Sequence, residues 1–274
     1  TALYDNTTGS SNVAVGKEAL YFNTTASNNT AVGYQALYDN TTGVNNTSVG
    51  HQSAQNNTTG ARNVSMGQAS LATNTTGSNN IALGYSALYT NSSGASNVAV
   101  GTNALSLSTV SDNTAVGFSA LEVNTTGRIN TAVGKNSMIA NTTGGDNSAF
   151  GGLTLDANTT GNSNTALGYA SLSANTTANN NTAVGSLALH SNTTASESTA
   201  VGYQSLYNSN AADNTAIGTQ SQKNTTSGSN NTSVGAGSSY GNTTGSYNTS
   251  LGRSALQNNT TASNNTAVGY QAGY

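Results

Sequence analysis

The stretch Asn29-Thr30-Ala31-Val32-Gly33, followed by Tyr34-Gln35-Ala36-Leu37, is one copy of a unit that recurs along the whole chain. The glycine that ends its first half returns at steps of 17 residues, except for two steps of 16. A repeat this regular predicts a solenoid, in which each repeat forms one coil and stacks on its neighbours. The recurring glycines are Gly16, Gly33, Gly50, Gly67, Gly84, Gly101, Gly117, Gly134, Gly151, Gly168, Gly185, Gly202, Gly218, Gly235, Gly252 and Gly269.

Positions within the repeat are counted from this glycine as position 0. Position −4 is Asn in every complete copy except at Ser198, −3 is usually Thr, −2 is Ala or Ser, and −1 is always apolar. Position +3 is mostly Ala or Ser, +4 is mostly Leu, and +7 opens an Asn-Thr-Thr-Gly or Asn-Thr-Thr-Ala turn in most copies. The β-branched, small, apolar order predicts a short strand at −3 to −1, and Ala36-Leu37-Tyr38 suggests a second at +3 to +5.

The pattern therefore predicts an all-β parallel solenoid, or β-roll, of about sixteen 17-residue coils. We expect Asn29, Val32, Gly33, Leu37 and Asn40, with their counterparts, to form structural ladders along the axis. The glycine is expected to adopt a backbone conformation that a Cβ would obstruct.

Strand alternation suggests which residues fill the interior. Positions −1 and −3 face one way and −2 the other, so Val32 and Leu37 are expected inside and the Ala/Ser stripe outside. This small-residue wall is either a free flat surface or a contact with identical walls of other copies.

Composition narrows the functional classes. Charged residues make up only 5% of the chain and the net charge is −3, so no electrostatic footprint for nucleic acid is present. The chain has no cysteine, and no apolar run approaches the roughly 18 residues of a membrane span. An apolar residue held at one phase of every repeat argues against disorder.

Catalysis and metal binding find little support in the residue pattern. His51 and His190 occupy different phases of distant repeats. The nine carboxylates are thinly spread, and neutral Asn in the turns would make only a weak calcium site. We therefore expect no enzyme activity, no metal and no cofactor. The carboxylates are Asp5, Glu18, Asp39, Asp112, Glu122, Asp146, Asp156, Glu197 and Asp213.

The Asn-Thr-Thr turns also match the acceptor triplet for N-linked glycans. Candidate acceptors include Asn40, Asn74, Asn124 and Asn158. An Asn/Thr-rich repeat produces such triplets by chance, so turn chemistry is the favoured interpretation.

Two parts of the repeat unit resemble known kinds of repeat. Ser11-Asn12-Val13-Ala14-Val15-Gly16 and Ser96-Asn97-Val98-Ala99-Val100-Gly101 are similar to the core of head repeats in trimeric autotransporter adhesins. The longer Asn-Thr-Ala-Val-Gly-Tyr-Gln-Ala-Leu-Tyr unit resembles repeats of tail-fibre-domain proteins of phages and marine bacteria. The resemblance implies a left-handed, homotrimeric roll that serves as the head or shaft of a surface fibre.

Residues 1–274 form a single repeat array that opens and closes within a repeat, without atypical capping coils. We expect a section of a longer fibre protein, whose uncapped ends would favour end-to-end association.

The sequence thus favours a structural or adhesive element of an extracellular fibre, on a cell surface or a virion. Two alternatives are an ice-binding solenoid with ranked Thr and a self-assembling extracellular filament. Tyr recurs at +1 and +5 and could contact a surface glycan or a receptor. No nucleic-acid partner and no membrane insertion are expected.

Overall fold

The computed structural model describes all residues from Thr1 to Tyr274 and is built from sixteen three-residue strands without helices. Each strand occupies positions −3 to −1 of one repeat. The strands are β1 (Val13–Val15), β2 (Thr30–Val32), β3 (Thr47–Val49), β4 (Val64–Met66), β5 (Ile81–Leu83), β6 (Val98–Val100), β7 (Thr114–Val116), β8 (Thr131–Val133), β9 (Ser148–Phe150), β10 (Thr165–Leu167), β11 (Thr182–Val184), β12 (Thr199–Val201), β13 (Thr215–Ile217), β14 (Thr232–Val234), β15 (Thr249–Leu251) and β16 (Thr266–Val268).

The chain comprises two compact units, Thr1–Lys135 and Asn136–Tyr274. In the first unit β1 to β8 stack in sequence order, and in the second β9 to β16 do the same. All pairings are parallel and join equal positions of consecutive repeats, so that Thr30 pairs with Thr47 and Val32 with Val49. The predicted all-β solenoid with one coil per repeat is confirmed.

The predicted second strand at +3 to +5 is wrong. Gln35 and Leu37 have φ angles of 54° and 51°, in the left-handed region, and the segment is a series of turns. The same two positions, +2 and +4, are left-handed in the other coils, as is position −5 in Asn45 (φ 59°). These left-handed residues bend the chain back around a narrow coil.

A leucine in the left-handed region is unusual and needs a compensating interaction. The conformation costs about 1–2 kcal/mol for a residue with a Cβ. Leu37 is fully buried, and burying a Leu side chain stabilises by about 1.5–3 kcal/mol. Burial therefore outweighs the backbone cost at position +4.

The interior is lined by small residues and leucine, and not by the predicted valines. Ala31 at −2, Ala36 at +3 and Leu37 at +4 are fully buried, whereas Val32 at −1 is only half-buried. The expectation that Val32 lies inside and the Ala/Ser stripe outside is wrong at the strand. The left-handed residue at +4 breaks the in-out alternation, so Ala36 and Leu37 both point inward.

The recurring glycine confirms the predicted backbone requirement. Gly50 has a φ of 137°, and a Cβ on it would lie 2.5 Å from the carbonyl oxygen of Gly67 in the next coil. Two constraints, the dihedral angle and the approach of the neighbouring coil, thus select glycine.

Replacing this glycine should be strongly destabilising. We expect Gly50→Ala to lower the free energy of unfolding by about 2–4 kcal/mol, because it combines backbone strain with a clash against backbone. Urea unfolding followed by circular dichroism measures the change. The matched control is Gly237→Ala: its φ of 65° is one that Ala69 and Ala170 adopt at the same position. A Cβ on Gly237 would meet only Ser254 Oγ, at 3.7 Å. Equal effects of the two substitutions would contradict this account.

Candidate functional site: asparagine ladders and the outward strand face

The first interior ladder is formed by Asn at −4. Asn29 is fully buried, and its Nδ2 donates to the carbonyl oxygen of Gly43 at 2.8 Å, across the coil. Its Oδ1 accepts from the backbone N–H of Asn46 in the next coil, also at 2.8 Å. One side chain therefore closes its own coil and fixes the register of the following one.

The second ladder is formed by Asn at +7. Asn40 Nδ2 donates to Asn23 Oδ1 and to the carbonyl oxygen of Gly43, both at 3.0 Å. Asn40 Oδ1 accepts in turn from Asn57 Nδ2 at 2.9 Å. The carbonyl of Gly43, at position +10, therefore accepts from Asn29 and Asn40 and joins the two ladders.

Of the five residues expected to form ladders, four contribute to the coil interior or its closure. Asn29, Leu37 and Asn40 are buried, and Gly33 lies against the backbone of Gly50. Val32 belongs instead to the outward face of the strand.

Burial also bears on the candidate glycan acceptors. Asn40, Asn74, Asn124 and Asn158 are fully buried, and each amide nitrogen donates to the carbonyl at position +10 of its own coil. A glycan needs that nitrogen and an open path to solvent. The folded coil provides neither at these four residues.

Removing one ladder amide should open one coil. Asn57 Nδ2 donates to Asn40 Oδ1 and to the carbonyl of Gly60, both at 2.9 Å, and Asn57 Oδ1 accepts from Asn74 at 2.7 Å. Because Asn57→Ala leaves buried partners unsatisfied, we expect a loss of about 3 kcal/mol of stability.

Hydrogen exchange should show faster exchange in the coils on both sides of Asn57. Thr59→Ala, at an exposed position of the same turn, is the control and should change neither measurement. Unchanged exchange in Asn57→Ala would contradict a ladder that carries stability.

Three coils interrupt the +7 ladder. Ser108 and Ser209 replace Asn in the two 16-residue coils and Thr225 replaces it in one 17-residue coil, and all three are fully buried. In the first unit, Asn91 Oδ1 and Ser108 Oγ have no partner among the protein atoms. The hydroxyl of serine is too short to reproduce the amide contact, so the short coils are weak points of the ladder.

Polar residues also interrupt the leucine column of the second unit. Position +4 carries Gln222 and Ser239 in two consecutive coils, before Leu256. Gln222 is fully buried and its Nε2 donates to the carbonyl of Thr215 at 2.9 Å, but its Oε1 has no protein partner. The Ser239 hydroxyl has a partner in Ser250 Oγ at 2.8 Å. The unsatisfied oxygen of Gln222 and the apolar contact that the short Ser239 side chain does not make destabilise these coils.

Restoring leucine at both positions should stabilise the second unit. We expect Gln222→Leu combined with Ser239→Leu to raise the free energy of unfolding by about 2–4 kcal/mol. Urea unfolding of the whole chain is the measurement.

Gln220→Leu is the control, because position +2 already carries Leu153 and Leu187 with similar φ angles. It should be close to neutral. A destabilised double variant would show that the polar pair is better packed than leucine would be.

The outward strand face consists of the side chains at −3 and −1, which point away from the interior. Position −3 is Thr, Ser, Val or Ile and position −1 is Val, Leu, Ile, Met or Phe in all sixteen strands, without a charged residue. In the first unit four of these apolar side chains are exposed, from Ile81 at 38% to Val15 at 56%, and the others are half-buried. A row of uncharged, half-exposed side chains therefore runs along the strands of each unit.

Aromatic residues stack along the coil edges. Tyr21 lies between Tyr4 and Tyr38, with ring centroids 5.0 and 5.4 Å apart, so both of its faces are covered. Tyr34 at +1 stacks on His51 at 5.2 Å. At these residues the rings stabilise neighbouring coils, and their faces are engaged by one another.

The histidines and carboxylates are dispersed along the chain. His51 stacks on Tyr34, whereas His190 stacks on Tyr207 in the other unit. No group of three His, Cys, Asp or Glu side chains comes together. Partial burial raises the pKa of the Asp39 carboxyl above its ordinary value. The two ion pairs, Lys17–Glu18 and Arg128–Asp112, lie at the surface and contribute little stability.

No helix has the length and apolarity needed to cross a membrane. The chain matches no protein-family model and no curated protein.

Proposed function

We propose that the chain is a structural element of an extracellular fibre, on a cell surface or a virion. We also propose that it assembles as a homo-oligomer, and the expected oligomer is a trimer. The outward strand face is the surface through which copies meet. The observation that carries this proposal is the composition of that face: apolar and uncharged side chains repeat on every strand without interruption.

The chemistry of the face favours burial against another surface. Parallel sheets are covered on both faces in nearly all proteins, yet here only the inner face is covered within the coil. Contiguous apolar surfaces of this extent mark sites of association. The absence of charge removes the repulsion that identical copies in parallel would otherwise experience.

The area is sufficient for a stable contact. The first unit presents sixteen outward side chains on β1 to β8. At roughly 50 Å² each they offer on the order of 800 Å², which is the share of each partner in a standard interface. Each unit alone therefore offers enough surface for specific association.

A mechanical role agrees with the rest of the molecule. In the regular coils interior amides join one coil to the next at both ladders, which gives stiffness without disulfides. Repetition of the same surface groups along the coils would display weak contacts many times, so that avidity for a surface glycan or a receptor exceeds each single affinity.

Ice binding is the second candidate, and one observation favours it. Thr at −3 lies on the outward face and is partly or well exposed, as in Thr30 and Thr232. A regular row of Thr side chains beside a row of Val side chains on a sheet is a surface that could order water. Oligomerisation would bury the same side chains, so the two functions exclude each other on one face.

Light scattering after size exclusion tests the proposal. We expect a single species near three times the chain mass of 27.3 kDa. The double variant Val32→Glu, Val49→Glu should be monomeric with an unchanged circular dichroism spectrum, because buried unpaired charge opposes association.

The matched control is Thr42→Glu, Thr59→Glu, at exposed turn positions of the same two coils. It should remain oligomeric. A monomeric parent chain would overturn the oligomer, and thermal hysteresis with ice shaping by that monomer would establish the second candidate.

A further inference from the structure

A periodic interface has a register problem. Eight of the sixteen strands, among them β2, β3, β7 and β8, present Thr at −3 and Val at −1. If two such faces slide along each other by one coil, Thr and Val still meet Thr and Val. Only the contacts at the ends are lost. Something must therefore distinguish the correct register from its neighbours.

Three consecutive strands of the first unit differ from this pattern. In β4, β5 and β6 every outward residue is apolar, and three of them are longer than valine: Met66, Ile81 and Leu83. Met66 is 43% and Ile81 38% exposed. We call these six outward residues the apolar patch: Val64, Met66, Ile81, Leu83, Val98 and Val100.

The patch has sharp edges. Val64 pairs with Thr47 on one side, and Val98 pairs with Thr114 on the other. From β7 to β16 position −3 is Thr or Ser in every strand, and in β2 and β3 it is Thr. Val13 in β1 is the one apolar residue at −3 outside the patch.

We propose that the apolar patch sets the register between copies of this chain, by meeting the same patch of a second copy. The inference rests on the proposed homo-oligomer and names the residues that align it. The occupant of the patch is therefore the patch of another identical chain.

Displacement by one coil would be penalised in two ways. The Thr47 and Thr114 hydroxyls would come to lie against Val64 or Val98 of the other chain and would lose water without gaining a hydrogen-bond partner. Ile81 would face Val64 or Val98, and Met66 would face Val49 or Leu83. Side chains of unequal length would therefore meet, which produces overlap at some contacts and gaps at others. In register, apolar surface meets apolar surface of equal length.

Disulfide trapping tests this directly, because the chain contains no cysteine. Two single variants, Val32→Cys and Val49→Cys, are prepared, one of them labelled with ¹⁵N. They are unfolded together, refolded as a mixture and oxidised in a redox buffer. In-register assembly gives heavy–heavy and light–light dimers, whereas a slide of one coil places residue 32 opposite residue 49 and gives heavy–light dimers.

With the native face we expect heavy–light dimers to be at least about tenfold rarer than the like pairs, which corresponds to about 1.4 kcal/mol. The same experiment is then done in a patch-free background: Val64→Thr, Met66→Val, Ile81→Thr, Leu83→Val and Val98→Thr. Each change installs a residue that other coils carry at that position. Heavy–light dimers should then rise several-fold relative to the like pairs, although Phe150, Leu167, Ile217 and Leu251 remain at −1 in the second unit.

The control background is Ile217→Val with Leu251→Val, which alters position −1 outside the patch and should keep the native ratio. If the five-site variant does not fold, Ile81→Thr with Leu83→Val narrows the patch and should give an intermediate ratio. A native face that already yields abundant heavy–light dimers, or a patch-free face that gives the native ratio, overturns the role of the patch. A monomeric mass without any cross-link would instead overturn the homo-oligomer itself.

Discussion

The structure depends on the convergence of two asparagine amides on one backbone carbonyl. In each regular coil the Asn at −4 and the Asn at +7 both donate to the carbonyl at +10, as Asn29 and Asn40 do at Gly43. The same side chains reach the adjacent coils through their amide oxygens. Because these groups are buried, every bond replaces one that water would otherwise make, and an unmade bond is costly. Closure of each coil and stacking of the next are thus a single interaction.

This arrangement explains why so narrow a coil is stable. The two asparagine ladders occupy much of the interior. They leave room only for alanine or serine at −2 and +3 and for one leucine at +4. The larger apolar residues at −1 have no space inside and lie on the outward face. The excluded apolar surface is the basis on which we propose association with other copies. The narrow interior and the apolar exterior are consequences of the same geometry.

The irregular coils show which substitutions the coil accommodates without loss of its backbone pattern. Where a coil is one residue shorter, Ser108 or Ser209 stands at the Asn position, and the chain continues in register on both sides. Where Gln222 and Ser239 replace leucine, the backbone pattern persists although a buried oxygen lacks a partner. In a solenoid each coil contacts only its neighbours, so a local defect remains local. The apolar patch at β4 to β6 is a different irregularity, placed on the outside, where it costs the coil nothing.

The sequence by itself determined the coil length, the strand positions and the need for glycine at position 0. It also indicated that Asn29 and Asn40 belong to axial ladders, because asparagine recurs at the same two positions of most repeats.

Only the tertiary structure decided which side of the strand faces inward. Alternation orders residues into two sets but does not say which set a coil encloses, and that depends on the width left beside the asparagines. The left-handed residues at +2 and +4 were also beyond the sequence, since Gln35 and Leu37 carry no local preference for that conformation. Contacts that exist only once the coils have stacked stabilise them there: the Gln35 N–H donates to the carbonyl of Lys17, and the Leu37 side chain is buried.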